Sequence, residues 1–177
     1  MQLLERVKKH EFLGREFLLW LWFRSETRQG IFDLGKEGQA ELWLERRIVL
    51  QSEGDQGLEK VTCSGDNPDL KEARFALTEN KEITEATVRL TIENLEWTFT
   101  LDSQWMNFRS FKTPKVTQDK GEDPEGLFYE KIYLIEQAVS AMEAIFSAFI
   151  RLRVSPAWEG EELPAIIQWT RQASPRH

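Results

Sequence analysis

The sequence contains few of the residues from which most active sites are built. Its 177 residues include one cysteine, Cys63, and two histidines, His10 and His177. A single cysteine excludes an internal disulfide and fits a reducing compartment, so we expect a cytoplasmic protein. Cys63 falls in a predicted strand, where a small buried apolar role is commoner than a nucleophilic one. His10 lies in a charged segment and His177 is the last residue, which makes either a poor positioned base.

Motifs that bind phosphates or metals are missing as well. The sequence has no glycine-rich phosphate loop and no His/Cys spacing typical of a zinc site. Its 30 Asp and Glu residues are scattered, without the close pairs that hold a hard cation. We therefore expect no catalytic residue, no metal and no cofactor, and a protein that is not an enzyme.

Apolar runs long enough to cross a membrane are also missing. The run Phe17–Phe23 is apolar throughout, yet its seven residues fall far short of the ~20 that span a bilayer. Charged residues such as Glu5 and Lys8 interrupt the first ten residues, so no signal sequence is expected there. With 41% hydrophobic and 30% charged residues, the composition is typical of a folded soluble protein. We expect one domain over residues 1–177 and no membrane contact.

Aromatic side chains, by contrast, are abundant: the chain has seven Trp and eleven Phe. They are densest in residues 12–26, which we predict to form a helix buried on most of its faces. Gly14 is a candidate break before this helix, and Gln29-Gly30 should end it. The face expected to meet the core carries i, i+3, i+4, i+7 spacing: Phe17, Trp20, Leu21 and Arg24.

Glu16 lies in the middle of this apolar helix. A partly buried carboxylate is costly unless it is paired. Arg15, Arg24 or an arginine of the Arg46-Arg47 pair could supply the partner. We favour this structural ion pair over a functional carboxylate.

Alternation and turn signals predict five strands and two further helices. The strands are expected at 31–34, 40–50, 58–64, 83–92 and 95–101, the last two joined by a turn at Glu93-Asn94. A helix should start at Asn67-Pro68 and run to about Glu79. Residues 103–124 are predicted to be a connector whose second half is a candidate for mobility, and residues 156–177 a helical tail in which Leu163, Ile166, Ile167 and Trp169 point inward.

The longest predicted helix runs from Glu125 to about Val154. Its apolar residues are spaced 4-3-4-3-4-3 and form a three-heptad seam: Phe128, Ile132, Ile135, Val139, Met142, Phe146 and Phe149. A flanking row makes the apolar face wider still, and this face should pack on the sheet and on the opening helix together: Leu127, Leu134, Ala141 and Ala148. Because the seam is wide enough for the sheet and another helix, we expect a homodimer. The predicted fold is α+β, an antiparallel sheet of about five strands packed against the aromatic N-terminal helix and this long C-terminal helix.

The net charge of −7 argues against general affinity for DNA, but the charge is uneven. Residues 104–120 carry four Lys/Arg against one Asp/Glu, a net charge of +3. Three of these cations, Arg109, Lys112 and Lys115, alternate with the aromatic residues Trp105, Phe108 and Phe111. Cations with aromatics between them are typical of single-strand nucleic-acid binding. The alternative is that the aromatics anchor the connector to the core while the cations face water.

The aromatic stretch Phe12-Leu-Gly-Arg-Glu-Phe-Leu-Leu-Trp-Leu-Trp-Phe23 resembles a segment of longer members of the RdgC recombination-associated family. Residues 80–115 resemble the C-terminal pattern of that family. Asn80-Lys-Glu-Ile-Thr84 stands where a Gly-Lys-x-Val-Thr turn is usual, an alternating hairpin follows, and Phe111-Lys112 lies near the place of a Leu-Lys pair. The long helix, with Tyr129 and Glu130, is similar to the closing helix of the family.

The resemblance implies a dimeric, non-enzymatic protein of DNA recombination that binds DNA or another protein of the recombination machinery. Members of the family form a ring around DNA, and such a ring needs a basic lining. This chain is acidic, so the DNA binding that the resemblance implies is weak. Lys81, Arg109, Lys112 and Lys115 are the nucleic-acid contacts carried over, with Trp105, Phe108 and Phe111 as interaction residues. The alternative is a protein-interaction subunit or regulator that does not bind nucleic acid.

Overall fold

The computed structural model describes residues 11–54, 57–64, 70–115 and 124–172. In these residues it has four α-helices and one six-stranded antiparallel sheet, which confirms the predicted α+β class. His10, His177, the Asn67-Pro68 helix start and most of the segment predicted to be mobile lie outside the described residues. The helices are α1 (Glu11–Thr27), α2 (Leu70–Thr78), α3 (Pro124–Arg153) and α4 (Leu163–Arg171). The strands are β1 (Ile31–Asp33), β2 (Gln39–Gly54), β3 (Gly57–Ser64), β4 (Glu82–Ile92), β5 (Leu95–Asp102) and β6 (Phe108–Lys112).

The sheet is organised around the long strand β2. The strand order is β1-β2-β4-β5-β6, and β3 pairs with the second half of β2. The β4–β5 hairpin has its turn at Glu93-Asn94, as predicted. A register shift between Glu45 and Ile48 interrupts the alternation of β2, and beyond it Ile48, Val49 and Leu50 are all buried. Because consecutive strand residues point to opposite faces, β2 is buried on both faces here, which accounts for the change from an alternating to a continuously apolar sequence.

Strand β6 lies within the segment that we predicted to be a connector. Phe108 and Phe111 both pack on the buried Phe99, with ring centroids 5.0 and 5.4 Å away. Ser110 between them has a positive φ of 51°, and the pairing with β5 shifts register at this point. The irregularity leaves the two phenylalanines three residues apart rather than two, so the strand does not show the period that identifies strands in a sequence.

The core lies between the sheet and the helices, and α1 is at its centre. Phe17, Trp20 and Trp22 are at most 1% exposed, which confirms that the aromatic helix is buried on most faces. The ring centroids of Phe17 and Trp20 are 5.3 and 5.4 Å from that of Phe149 in α3. Trp22 contacts Trp169 of α4 edge-on at 5.2 Å. Both predicted helix partners of the sheet therefore join one aromatic core.

Gly14 does not break α1, contrary to our expectation, because the helix runs through it. A Cβ atom at this position would lie only 1.9 Å from the backbone oxygen of Ser103. The glycine is therefore required by the close approach of α1 to the turn that follows β5.

The long helix α3 buries parts of both predicted rows, Met142 and Phe149 of the seam and Leu134 and Ala141 of the flanking row. Its buried residues are Leu134, Ala138, Ala141, Met142, Ile145 and Phe149. The predicted seam is covered only toward its C-terminal end, while Phe128 and Ile135 are exposed. In α4, likewise, Ile166 and Trp169 are buried but Leu163 and Ile167 are exposed. Both helices are apolar over more of their circumference than the core covers, so the sequence could not show which apolar row is inside.

Candidate functional site

A polar pocket of about 460 Å³ opens beside the turn between β5 and β6. Its walls come from α1, from the second half of β2, from β3 and β4, and from the turn itself. The side chains that matter for its chemistry are Arg15, Gln51, Lys60, Glu85, Asp102 and Arg109, with Trp105 at the rim. Gln51 and Lys60 are direct cross-strand partners in the β2–β3 pair.

The turn that forms one wall is held by hydrogen bonds of Asp102 and Ser103. The Asp102 carboxylate accepts a hydrogen bond from the backbone N–H of Trp105 at 2.8 Å. The backbone carbonyl of Asp102 accepts another from the N–H of Met106 at 3.1 Å. The N–H of Ser103 donates to the carbonyl of Thr84 at 2.9 Å. This leaves Trp105 at the tip of the turn with 72% of its surface exposed. An indole so exposed is a candidate contact for a ligand, because it presents a large apolar face to solvent.

The charges of the pocket are mixed, with a small excess of positive charge. Three cations, Arg15, Lys60 and Arg109, stand against two carboxylates, Glu85 and Asp102, a balance of +1. Arg109 donates to Glu85 at 2.5 Å and lies 3.9 Å from Asp102. Glu85 also pairs with Arg47, and Arg15 pairs with Glu82. The pocket therefore offers an aromatic face and partly neutralised cations to an incoming group.

The structure brings together only some of the predicted contact residues. Trp105 and Arg109 line the pocket. Lys112 pairs with Thr98 and Arg109 with Thr100, so both cations lie on the face of the sheet away from the core. Lys112 and Lys115 are exposed, and among the described residues neither forms an ion pair. Their roles stay predictions.

Lys81, Phe108 and Phe111 lie apart from this group. Lys81 donates to Glu59 at 2.8 Å, and this hydrogen bond lowers the pKa of Glu59 and raises the pKa of Lys81. Its charge is therefore already compensated by a carboxylate. The two phenylalanines pack on Phe99 in the core. For these two residues the packing agrees with the anchoring alternative, whereas Trp105 is exposed.

Glu16 forms a structural ion pair, but with a partner that we did not predict. Its carboxylate accepts two hydrogen bonds from Arg153 at the end of α3, at 2.6 and 3.3 Å. The hydrogen bond to Glu16 raises the pKa of the Arg153 guanidinium. Three of the expected partners pair with other carboxylates: Arg15 with Glu82, Arg24 with Glu162 and Arg47 with Glu85. The side chain of Arg46 lies outside the described residues.

Replacing Glu16 by glutamine should lower the free energy of unfolding by about 0.5–1 kcal/mol, since both partners are about one third exposed. Urea denaturation measures this loss, with Glu130→Gln on the exposed side of α3 as the control. Nucleic-acid binding, tested below, should be unchanged. Unchanged stability together with lost binding would show that Glu16 is a functional carboxylate after all.

Glu162 is a buried carboxylate that sequence reasoning missed. It is 5% exposed and lies at the end of a π-helical turn, Trp158–Glu162, between α3 and α4. It accepts hydrogen bonds from the Trp20 indole and from Arg28, both at 2.9 Å, and Arg24 lies 3.6 Å away. Nothing in the sequence shows which of Glu159, Glu161 and Glu162 is the buried one. The full set of partners indicates a structural role.

Neither the cysteine thiol nor the grouping of the acidic side chains supports a nucleophile or a metal site in the described residues. Burial raises the pKa of the half-buried Cys63 thiol, which disfavours the nucleophilic thiolate. In the part of the chain that is described, no three His, Cys, Asp or Glu side chains group as metal ligands would. The pocket itself presents an aromatic side chain and charged and amide groups.

Comparison of the chain with protein-family models, with curated proteins and with solved structures finds no match. The resemblance to the RdgC family therefore stays a prediction. By length and composition one helix of the described residues, α3, is apolar enough to cross a bilayer, with a mean hydropathy of 1.3 over 18 residues, 33% of them buried. Core helices of soluble proteins pass the same test. The fold and the site define an α+β protein with a polar pocket beside the β5–β6 turn.

Proposed function

We propose that this protein is a non-catalytic accessory of DNA metabolism in the cytoplasm, and that it binds single-stranded nucleic acid at the Trp105 pocket. The observation that carries the proposal is the exposed indole of Trp105, which lines the polar pocket together with Arg109. Bases stack on exposed aromatic side chains whatever their sequence, and nearby cations contact the phosphates. Lys112 and Lys115 extend the cationic side chains along and beyond β6.

The charges predict that this binding is weak. Arg109 already shares its charge with Glu85 and Asp102, which leaves Lys112 and Lys115 as the principal phosphate contacts. Two or three neutralised phosphates on a single strand correspond to a slope of log affinity against log salt of about −1.4 to −2.1. The dissociation constant should fall in the non-specific range of ~10⁻⁴–10⁻⁶ M.

Fluorescence anisotropy with a labelled single-stranded oligonucleotide, titrated from low to physiological salt, measures both quantities. Trp105→Ala should weaken binding roughly 5- to 150-fold, because stacking contributes about 1–3 kcal/mol per base, and should leave the salt slope unchanged. Lys112→Ala combined with Lys115→Ala should instead flatten the slope by about 1.4.

Lys36 provides the matched control, since it is exposed in the β1–β2 turn, at the other end of β2 from the pocket. Lys36→Ala should bind as the parent protein does. The proposal fails if no binding occurs even at low salt, or if Trp105→Ala binds as tightly as the parent.

A protein-interaction subunit without nucleic-acid binding is the second candidate. The observation that favours it is the exposed apolar surface on α3, where Phe128, Tyr129 and Tyr133 are each about 60% exposed. The net charge of −7 agrees with it as well, because an acidic protein attracts nucleic acid poorly. Absence of oligonucleotide binding at low salt would leave this candidate as the function.

A further inference from the structure

The first half of α3 carries an apolar row that the described part of the chain covers only in part: two of its residues are exposed and two are half-buried. We call Phe128, Ile132, Ile135 and Val139 the open seam; they are the first four residues of the heptad pattern. Phe128 is 61% and Ile135 41% exposed. None of the four belongs to the core cluster of the described residues or packs on it. In this half of the helix the buried residues are Leu134 and Ala138, which lie on another row, and the Trp97 indole of β5 donates to the carbonyl of Leu134. Among the described residues the open seam therefore has no packing partner of its own.

The second half of the same heptad row already binds a helix. Phe146 and Phe149 contact Phe17 of α1, with ring centroids 5.0 and 5.3 Å apart. Arg153, one turn further on, pairs with Glu16 of α1. The 4-3 spacing continues without interruption from this covered half into the open seam. Such spacing matches the side-chain period of a partner helix, so the occupant that fits the open seam is another α-helix.

We propose that a second copy of this chain covers the open seam, and that the first halves of the two α3 helices pair antiparallel about a two-fold axis. The α1 helix occupies the row beyond Val139, which limits the free surface to the first half. An antiparallel pair overlaps these free halves alone and directs the two covered halves away from each other. A parallel pair would instead bring the two α1 helices together beside the paired helices.

The residues of the open seam are self-complementary in the antiparallel register. Ile132 lies opposite Ile135 of the second copy, and the large Phe128 lies opposite the smaller Val139. Along the flank, Tyr129 comes next to Glu136 of the second copy, so that a phenol faces a carboxylate. No like charges stand directly opposite one another at the flank. A two-fold interface requires this match, because the same patch must fit itself.

The size of the patch predicts a weak dimer. Phe128, Tyr129 and Tyr133 are 61, 60 and 59% exposed, and Ile135 adds to them. With aromatic side chains of 150–250 Å², the patch offers roughly 400 Å² per copy, or about 800 Å² for the pair. This lies below the 1,200–2,000 Å² of stable complexes, so we expect a weak dimer in exchange with monomer.

Cysteine cross-linking tests the register. In a Cys63→Ser background, Phe128→Cys and Val139→Cys are made as separate proteins and treated with a short bis-maleimide, alone and mixed. The antiparallel register places residue 128 beside residue 139 of the second copy, so covalent dimer should form in the mixture and not in either protein alone. Efficient cross-linking of Phe128→Cys with itself would overturn the antiparallel pairing.

Sedimentation velocity from 1 to 200 µM tests the surface itself. The parent protein should shift from monomer to dimer over this range, and Ile135→Glu should raise the dissociation constant at least tenfold. Ser140→Glu, exposed on α3 outside the seam, is the matched control and should dimerise as the parent does. Circular dichroism shows whether each variant folds. If Ile135→Glu does not fold, Phe128→Glu is used in its place. A parent protein that stays monomeric at 200 µM overturns the proposal.

Discussion

Replacing Trp20 by alanine is expected to lower the free energy of unfolding by about 3–5 kcal/mol, as is usual for a large core aromatic. Trp20 is 1% exposed, and its ring contacts Phe32 and Phe149 at centroid distances of 5.5 and 5.4 Å. The change removes the side chain through which α1 contacts both Phe32 of the sheet and Phe149 of α3. It also removes the ring on which the Arg24 guanidinium packs, 5.2 Å from the ring centroid. The hydrogen bond that the Trp20 indole donates to Glu162 is lost as well.

Guanidinium chloride denaturation followed by circular dichroism gives the loss, provided that the denaturant slope is unchanged. Trp105→Ala is the matched control, since the same substitution is made in a side chain that is 72% exposed. It should cost less than about 1 kcal/mol, in the range of ordinary surface substitutions. A similarly small loss for Trp20→Ala would show that the buried face of α1 is wrongly assigned.

The second large effect is expected at Glu162. Removing one partner of a buried ion pair leaves an uncompensated charge, which costs about 3–5 kcal/mol. In Glu162→Ala the uncompensated charge is that of Arg24, whose side chain is only 20% exposed, while Arg28 at 54% is free to turn to solvent. The buried N–H of Trp20 loses its acceptor as well. We therefore expect a loss toward the lower end of that range.

Glu161→Ala is the control for this prediction, because Glu161 is the exposed neighbour on the same π-helical turn. Its stability should match that of the parent within about 0.5 kcal/mol. Glu162→Gln should fall between the two, since an amide still accepts from Trp20 but carries no charge for the arginines. Equal stability of Glu162→Ala and the parent would mean that the ion cluster contributes nothing to the fold.

Local patterns predicted most of the elements. The apolar run of α1, the alternation of the β4–β5 hairpin and the length of α3 each depend on neighbours in the sequence, and all three are observed. Strand β6 was missed because its register shift hides the alternation. Part of the candidate site could be predicted in the same way. The aromatic and cationic composition of residues 104–115 identified Trp105 and Arg109, which line the pocket.

The sequence by itself determined the fold class, the burial of the aromatic helix and the need for a partner to Glu16. Each of these follows from the period and chemistry of side chains within a few turns of one another. Only the tertiary structure decided which groups meet. Glu16 and Arg153 are 137 residues apart in the chain, and Trp20 and Glu162 are 142 apart. Lys60 lines the pocket from β3, a strand that is distant from Trp105 in the sequence.

The choice of the inner row of α3 was also tertiary. Two apolar rows of similar strength run along this helix, and the sheet covers the one with small residues such as Ala138 and Ala141, which allow close approach. The helix itself does not distinguish the rows, because its own hydrogen bonds form in the same way whichever row faces the core. The shape of the surface that the sheet and α1 present selects one row and leaves Phe128 and Ile135 in solvent.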